Sequence, residues 1–261
     1  MTTHGHSKHP HKGHSHSHKG HHKTHHRGFL GRAFFFCLKW GFVLAVWGTL
    51  IVLAVAAWYA RELPQITKSP NMARKPSITI LANDGSVVAR YGDIKGDSLS
   101  IADIPPDLIH AVLATEDRRF YYHFGLDPVG VLRAVVVNLA RKGVVQGGST
   151  ITQQLAKNLF LTQERTFKRK IQEALLALWL ERELTKDQIL AAYLNRVYMG
   201  AGAYGIDAAA QVYFKKSARD LNLHECAILA GLLKAPSKFS PRSNPRLANE
   251  RAEVVIANMK E

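Results

Sequence analysis

Residues 114–127 read ATEDRRFYYHFGLD, a short stretch that crowds acids, bases and aromatics against an apolar helical run. The run in front of it, IPPDLIHAVLATED, opens on Pro-Pro-Asp, which suits a helix N-terminus. Ile109, Val112 and Glu116 then fall at helical spacing on one side. Glu116 therefore lies beside an apolar face, where partial desolvation raises a carboxyl pKa and makes a base usable near neutral pH. The same residues fit a surface glutamate paired with Arg118 or Arg119, and this stretch alone does not choose between the two.

The chain around it has 261 residues, 46% hydrophobic, which accommodates one well-cored domain of roughly 150–200 residues plus appendages. Its formal charge is +15. Residues 1–39 carry seven of the Lys and Arg residues and no acid, so the rest of the chain holds the other +8. Such a balance suits a membrane surface or a phosphate-bearing ligand, and charge alone does not exclude nucleic acid. Cys37 and Cys226 stand far apart, with neither metal spacing nor a disulfide framework.

The first 28 residues hold eleven His among Gly, Ser, Thr and Lys and lack the apolar residues of a core. They read as a disordered tail, without a fixed spacing that would impose metal geometry. Residues 41–60, GFVLAVWGTLIVLAVAAWYA, form an uncharged run long enough to span ~30 Å of hydrocarbon. Trp40 and the pair Trp58–Tyr59 mark its two interfaces, and the basic residues ahead of it predict a cytoplasmic N-terminus. A cleaved signal peptide, with Ala54-Val55-Ala56 as the cleavage site, is the competing reading; the length of the run favours an anchor.

The organisation expected is a His-rich basic tail over 1–39, a transmembrane helix over 40–60, a linker with a β-hairpin over 61–103 and a mainly α domain over 104–261. The hairpin is placed by two β-favouring runs around Asp84-Gly85. Beyond Ile104 the pattern is helical throughout. Thr150 with Gln153, Thr185 with Gln188 and Asn222 with Glu225 mark helix starts, and a last helix runs from Asn244-Pro245 to Glu261.

Two further stretches carry candidate chemistry. In QGGSTITQQLAKN (146–158), paired glycines lead into a helix whose first amides can bind an anion. In ERTFKRKIQEALLALWLEREL (164–184), one apolar stripe holds Phe167, Ile171, Ala174, Leu175 and Leu178, and a second holds Ala177, Leu180 and Leu184 together with Glu173. A helix apolar nearly all round is expected to be buried, and a carboxylate inside it needs a partner or a proton. Glu173 is thus either a functional group or half of a structural ion pair, and the basic run Arg165, Lys168, Arg169 and Lys170 is either solvated or a diphosphate clamp.

Five ordered blocks, ATEDRRFYYHFGLD, GGSTITQQLAKN, RKIQEALLALWLE, ILAAYLNRVYMGAGAYGIDAAAQVYF and LAGLLKAPSKFSP, resemble the peptidoglycan glycosyltransferases of glycosyltransferase family 51 over about residues 100–260. That family supplies the N-terminal part of class A penicillin-binding proteins and the monofunctional transglycosylases. The resemblance implies a mainly α, lysozyme-like fold and polymerisation of lipid II into β-1,4 glycan, with inversion and release of undecaprenyl diphosphate. It implies Glu116 as general base and Glu173 as an assisting group, by orienting charge or by helping a divalent cation such as Mg²⁺ or Mn²⁺. Arg118, Arg119, Gln154, Lys157 and Arg165 match substrate-binding positions; no sequence cluster marks a tight metal site.

The implied partners are lipid II, undecaprenyl-diphosphate-linked glycan, membrane lipid and other cell-wall synthesis proteins, with no nucleic acid. The implied location is the bacterial cytoplasmic membrane, with the catalytic domain outside. Ala191, where the family often has an acid, and Gln172, where it often has Lys or Asn, are departures that bear on local affinity. The chain has no S-x-x-K and no K-T-G, so a serine transpeptidase is not expected in these residues, and the hairpin segment suggests the leading part of a longer bifunctional protein. A lysozyme-like hydrolase is the alternative activity, and a non-catalytic tethered module the alternative class. A basic diphosphate site beside an anchor favours the polymerase over the first, and indispensable glutamates would exclude the second.

Overall fold

The computed structural model describes residues 27–61, 78–84, 87–91, 94–141, 147–161 and 166–260. The chain divides into two units, Met1–Leu53 and Ala54–Glu261. The first contains most of helix α1 (Arg27–Ala60), of which Phe34–Ala60 is long and apolar enough to cross a membrane. The helix includes residues 27–39, ahead of the expected boundary at 39/40.

In the second unit, strands β1 (Ile78–Leu81) and β2 (Val87–Tyr91) pair antiparallel with Ile78 opposite Tyr91, which is the expected hairpin. The body consists of helices α2 (Pro106–Glu116), α3 (Pro128–Ala140), α4 (Ile151–Phe160), α5 (Phe167–Glu183), α6 (Lys186–Leu194), α7 (Ile206–Phe214), α8 (Leu223–Leu232) and α9 (Pro245–Met259). Leu108, Ala111 and Val112 of α2 pack with α8, which is buried from Cys226 through Leu232 and also carries α9. Burial pushes the Cys226 thiol up to about 12, so it is a packing residue. Helix α4 lies between α5 and α6, with Ile151 and Leu155 fully buried. Capping boxes close the N-termini of α4 (Thr150, Gln153), α6 (Thr185, Gln188) and α8 (Asn222, Glu225), as their spacing predicts.

The body is not helical throughout. Strands β4 (Tyr198–Gly200) and β5 (Ala203–Tyr204) form a tight antiparallel turn, and β3 (Ile94–Lys95) pairs parallel with β5. Residues 94–103 therefore belong to the body: Leu99 is buried, its N–H donates to Asn195 Oδ1 (2.9 Å) and its carbonyl accepts from Asn195 Nδ2 (2.7 Å). The expected boundary at 103/104 falls too late. Strands this short offer no periodicity to read, and the glycines that permit the turn resemble an ordinary loop signal.

Helix α5 also departs from expectation. Its buried face is the stripe of Glu173, Leu176, Ala177, Leu180 and Glu181, whereas Phe167 is 93% exposed and Leu178 is exposed. The first stripe is an outer face. Helix α9 stops at Met259.

Gly205 shows how tightly the turn is fixed. Its φ is +88°, and a Cβ there would sit 2.5 Å from the Asn195 carbonyl oxygen. Gly205→Ala is expected to lose at least about 2 kcal/mol, read as a fall in thermal-unfolding Tm of roughly 4–8 °C.

Candidate functional site

Helix α2 ends at Glu116, and its C-cap residue Asp117 is buried. One Asp117 oxygen, Oδ2, accepts the N–H of Ile151, the first residue of α4, at 3.0 Å. Both oxygens lie 3.0 Å from His123 Nε2. A carboxylate only accepts, so Nε2 carries the proton. Thr150 Oγ1 donates to the carbonyl of Gly125 (2.7 Å), which fastens the same helix start from the other side. The anion-suited start of α4 is thus filled by a carboxylate of the protein itself.

This docking places Gln154, one turn into α4, against Glu116: Gln154 Nε2 donates to Glu116 Oε2 at 3.0 Å. Gln154 Oε1 in turn accepts from the hydroxyl of the fully buried Tyr193 on α6 at 2.9 Å. Burial raises the Glu116 pKa; the Gln154 hydrogen bond and the charges of Arg251 (α9) and Lys234 (after α8) pull it down, and Asp117 adds a smaller upward push. The net direction is up, which is the state expected of a base beside an apolar face. Glu116 Oε1 makes no hydrogen bond among the described residues.

Glu173 is different. Its side chain is 4% exposed, Arg169 Nη1 pairs with Oε1, and Lys170 Nζ donates to Oε2 at 2.9 Å. Lys170 also donates to Ser149 Oγ at 2.6 Å, linking the carboxylate to the Gly-Gly-Ser-Thr segment. Within the basic run at the start of α5, Arg169 and Lys170 are accordingly organised by Glu173. Among the described residues no group of three or more His, Cys, Asp and Glu forms a metal site, and both Glu173 oxygens face cations, so this carboxylate does not fit a divalent ion.

Arg118 donates through Nε to the Ala114 carbonyl (3.1 Å) and through Nη2 to the Asn258 carbonyl (3.3 Å), clamping α9 to the end of α2. Arg119 lies 3.8 Å from buried Asp127. Lys157, three residues beyond Gln154 on α4, has no ion pair among the described residues. Arg165 lies outside them. The structure brings Glu116 and Gln154 together and gives Arg118 and Arg119 partners within the protein. Sequence reading missed Tyr193, Arg251 and Lys234 at Glu116. Only the apolar position of Tyr193 in a helical run hinted at burial, and nothing hinted that a hydroxyl there would find Gln154.

A raised, half-satisfied carboxylate in a positive surround has the chemistry to accept a proton beside an anionic ligand. A family model described as Transglycosylase matches residues 84–260, and the chain belongs to that family, the peptidoglycan glycosyltransferases of cell-wall synthesis. It is 46% identical over 219 residues to penicillin-binding protein 1A of Neisseria cinerea, covering 84% of this chain and 27% of that protein. It is 45% identical over 221 residues to penicillin-binding protein 1A of Aquifex aeolicus, covering 85% and 30% respectively. A solved penicillin-binding protein 1A from Haemophilus influenzae is 27% identical over 72% of this chain and 18% of its own, with a TM-score of 0.42. The chain thus spans about a quarter to a third of the length of the Neisseria cinerea and Aquifex aeolicus proteins.

The raised Glu116 pKa has a stability consequence. Protonated Glu116 is favoured in the folded state, so the group favours folding at low pH and this contribution is lost as pH rises above the ordinary 4.5 through the folded value. Glu116→Gln, which cannot ionise, is expected to raise Tm at pH 7, with the gain disappearing below about pH 4. Thermal unfolding of both forms at the two pH values checks this.

Proposed function

We propose that this domain polymerises lipid II. The growing glycan on undecaprenyl diphosphate is the donor and lipid II the acceptor. The acceptor GlcNAc 4-hydroxyl attacks the anomeric carbon of the donor MurNAc, and its proton passes to Glu116 Oε1, the oxygen that Gln154 leaves open. The new C1–O bond forms opposite the breaking one, so the anomeric centre inverts to β. The electron pair of the broken bond leaves with the diphosphate lipid.

A diphosphate needs no general acid to leave, only positive charge near the departing oxygen. Lys157 and Arg165 are the proposed contacts, because Arg118 is committed to two backbone carbonyls and Arg119 to Asp127. Glu173 serves by holding Arg169 and Lys170 in place, Lys170 also reaching Ser149. A divalent cation is not assigned a step.

Substrate of this kind is delivered from a bilayer. The apolar span Phe34–Ala60 suits an anchor, and the basic residues before it favour a cytoplasmic N-terminus with the domain outside a bacterial cytoplasmic membrane. Helix α3 exposes Val129, Leu132, Val135, Val136 and Leu139 together, an apolar band suited to contact with membrane lipid. Other cell-wall synthesis proteins are proposed partners of the longer protein.

The observation that carries this reading is Glu116 itself, raised in pKa and bound to Gln154 within a matched family domain. The test is incubation of the full chain with labelled lipid II. Wild type should yield long glycan, and Glu116→Gln should lose about 10²–10⁴-fold in rate while remaining folded. Wild-type-like polymerisation by that variant would sink the assignment of Glu116, and shortening of preformed glycan by wild type would make the domain a hydrolase.

A further inference from the structure

Tyr193 has no accessible surface, yet it carries a hydroxyl into the core, between α6 and α4. A buried hydroxyl without a partner is costly, and this one has a partner that also serves Glu116. An amide group has one accepting end and one donating end, and the two ends of Gln154 face Tyr193 and Glu116 respectively. Reversing the amide would turn Oε1 toward the carboxylate and leave the tyrosine proton without its acceptor. Burial and the nearby Glu116 charge push the Tyr193 pKa well up, so the phenol remains a donor throughout the working range.

We infer that Tyr193 is a positioning residue: its hydroxyl fixes the amide of Gln154 so that Nε2 faces Glu116 and favours the charged, proton-accepting carboxylate. The inference rests on Glu116 being the base. The other groups acting on that carboxylate are Arg251 from α9, Lys234 after α8 and Asp117 at the end of its own helix. None of them touches Gln154 through the bonds described, so the orientation of the amide depends on Tyr193. Without the phenol hydroxyl the amide either loses its anchor or reverses. Both outcomes weaken the donor to Glu116 and raise the pH at which it ionises.

The test is the pH–rate profile of lipid II polymerisation by the full chain carrying Tyr193→Phe, which keeps the ring and removes only the hydroxyl. The acid limb of kcat/KM should move up by about one pH unit, equivalent to the loss of one hydrogen bond to the base. At low pH the rate should fall roughly tenfold, with KM changed less than about twofold. Gln154→Met should move the limb in the same direction, and the double variant should add little to either single change.

A merely structural role for Tyr193 predicts a lower Tm with the limb in place, and that result, in a folded Tyr193→Phe protein, overturns the inference while leaving Glu116 as base. Loss of the Glu116→Gln effect would instead overturn the reading beneath it. If Tyr193→Phe does not fold, NMR of the ¹⁵N-labelled wild-type chain in detergent decides. Two distinct, slowly exchanging Gln154 side-chain amide protons whose shifts follow the acid limb support the inference. Fast-exchanging, pH-independent amide signals overturn it.

Discussion

The carboxylate of Asp117 is the constraint on which the site depends. Its residue ends α2 with a backbone N–H donated to the Leu113 carbonyl, while the carboxylate accepts the first amide of α4 and holds His123, so three segments meet at one residue. Removing it would leave the Ile151 N–H buried without an acceptor, a loss of about 1–3 kcal/mol from that bond alone. That is a large share of a typical net stability of ~5–15 kcal/mol. More important for chemistry, α4 would lose its register against the end of α2, and Gln154 would lose Glu116. Glu116 and Asp117 are adjacent, but they do opposite work: one carboxylate is spent on the fold, and the other keeps an oxygen open.

A second buried network supports the far side of α4. Thr152 Oγ1 donates to Glu181 Oε1 (2.6 Å), which also accepts from Lys186 Nζ (2.8 Å), and that ammonium lies 4.4 Å from the centre of the Phe120 ring. Helices α4, α5 and α6 and the segment after α2 are thereby joined through one ion pair. A buried pair adds little net stability against an apolar core but resists any shift that separates its members. Near a base aligned by hydrogen bonds of about 3 Å, resistance to sliding is the useful property. Asp207 does similar work at the sheet, accepting from the N–H groups of Asp97 and Ala218 and from Ser217 and Gln211. Burial raises its pKa, but those four bonds outweigh it and the net shift is down.

The legible parts of this molecule are those governed by local rules. Capping boxes at Thr150, Thr185 and Asn222 depend on residues three apart, and the apolar span of α1 depends on composition alone. Glu116 beside an apolar face was visible for the same reason. The β3–β5–β4 sheet was not, because its pairing joins residues more than a hundred positions apart and its strands are two or three residues long. The Glu173 stripe of α5 is buried as expected and the Phe167 stripe is not, because periodicity locates an apolar stripe without saying what covers it: Phe167 is as apolar as Leu180. Arg251 and Lys234 act on Glu116 through tertiary packing of α8 and α9 on α2, which no spacing encodes.

The two glutamates brought forward by the sequence are separated by what their oxygens already hold. Glu173 has a guanidinium on one oxygen and an ammonium on the other, so neither oxygen is open to a further partner without displacing a cation. Glu116 holds one neutral amide, and its cations act from a greater distance without a hydrogen bond to it. A proton arriving at Oε1 breaks nothing. The same positive surround that pulls the Glu116 pKa down would, in the proposed reaction, face a substrate whose own charge is negative, so binding an anion would offset part of that field and strengthen the base as the substrate hydroxyl arrives. Burial alone would push the Glu116 carboxyl pKa up unopposed; full pairing, as at Glu173, would leave no oxygen open. Glu116 lies between these limits because Gln154 supplies one oriented, uncharged donor, and an uncharged donor can stabilise the carboxylate without neutralising it.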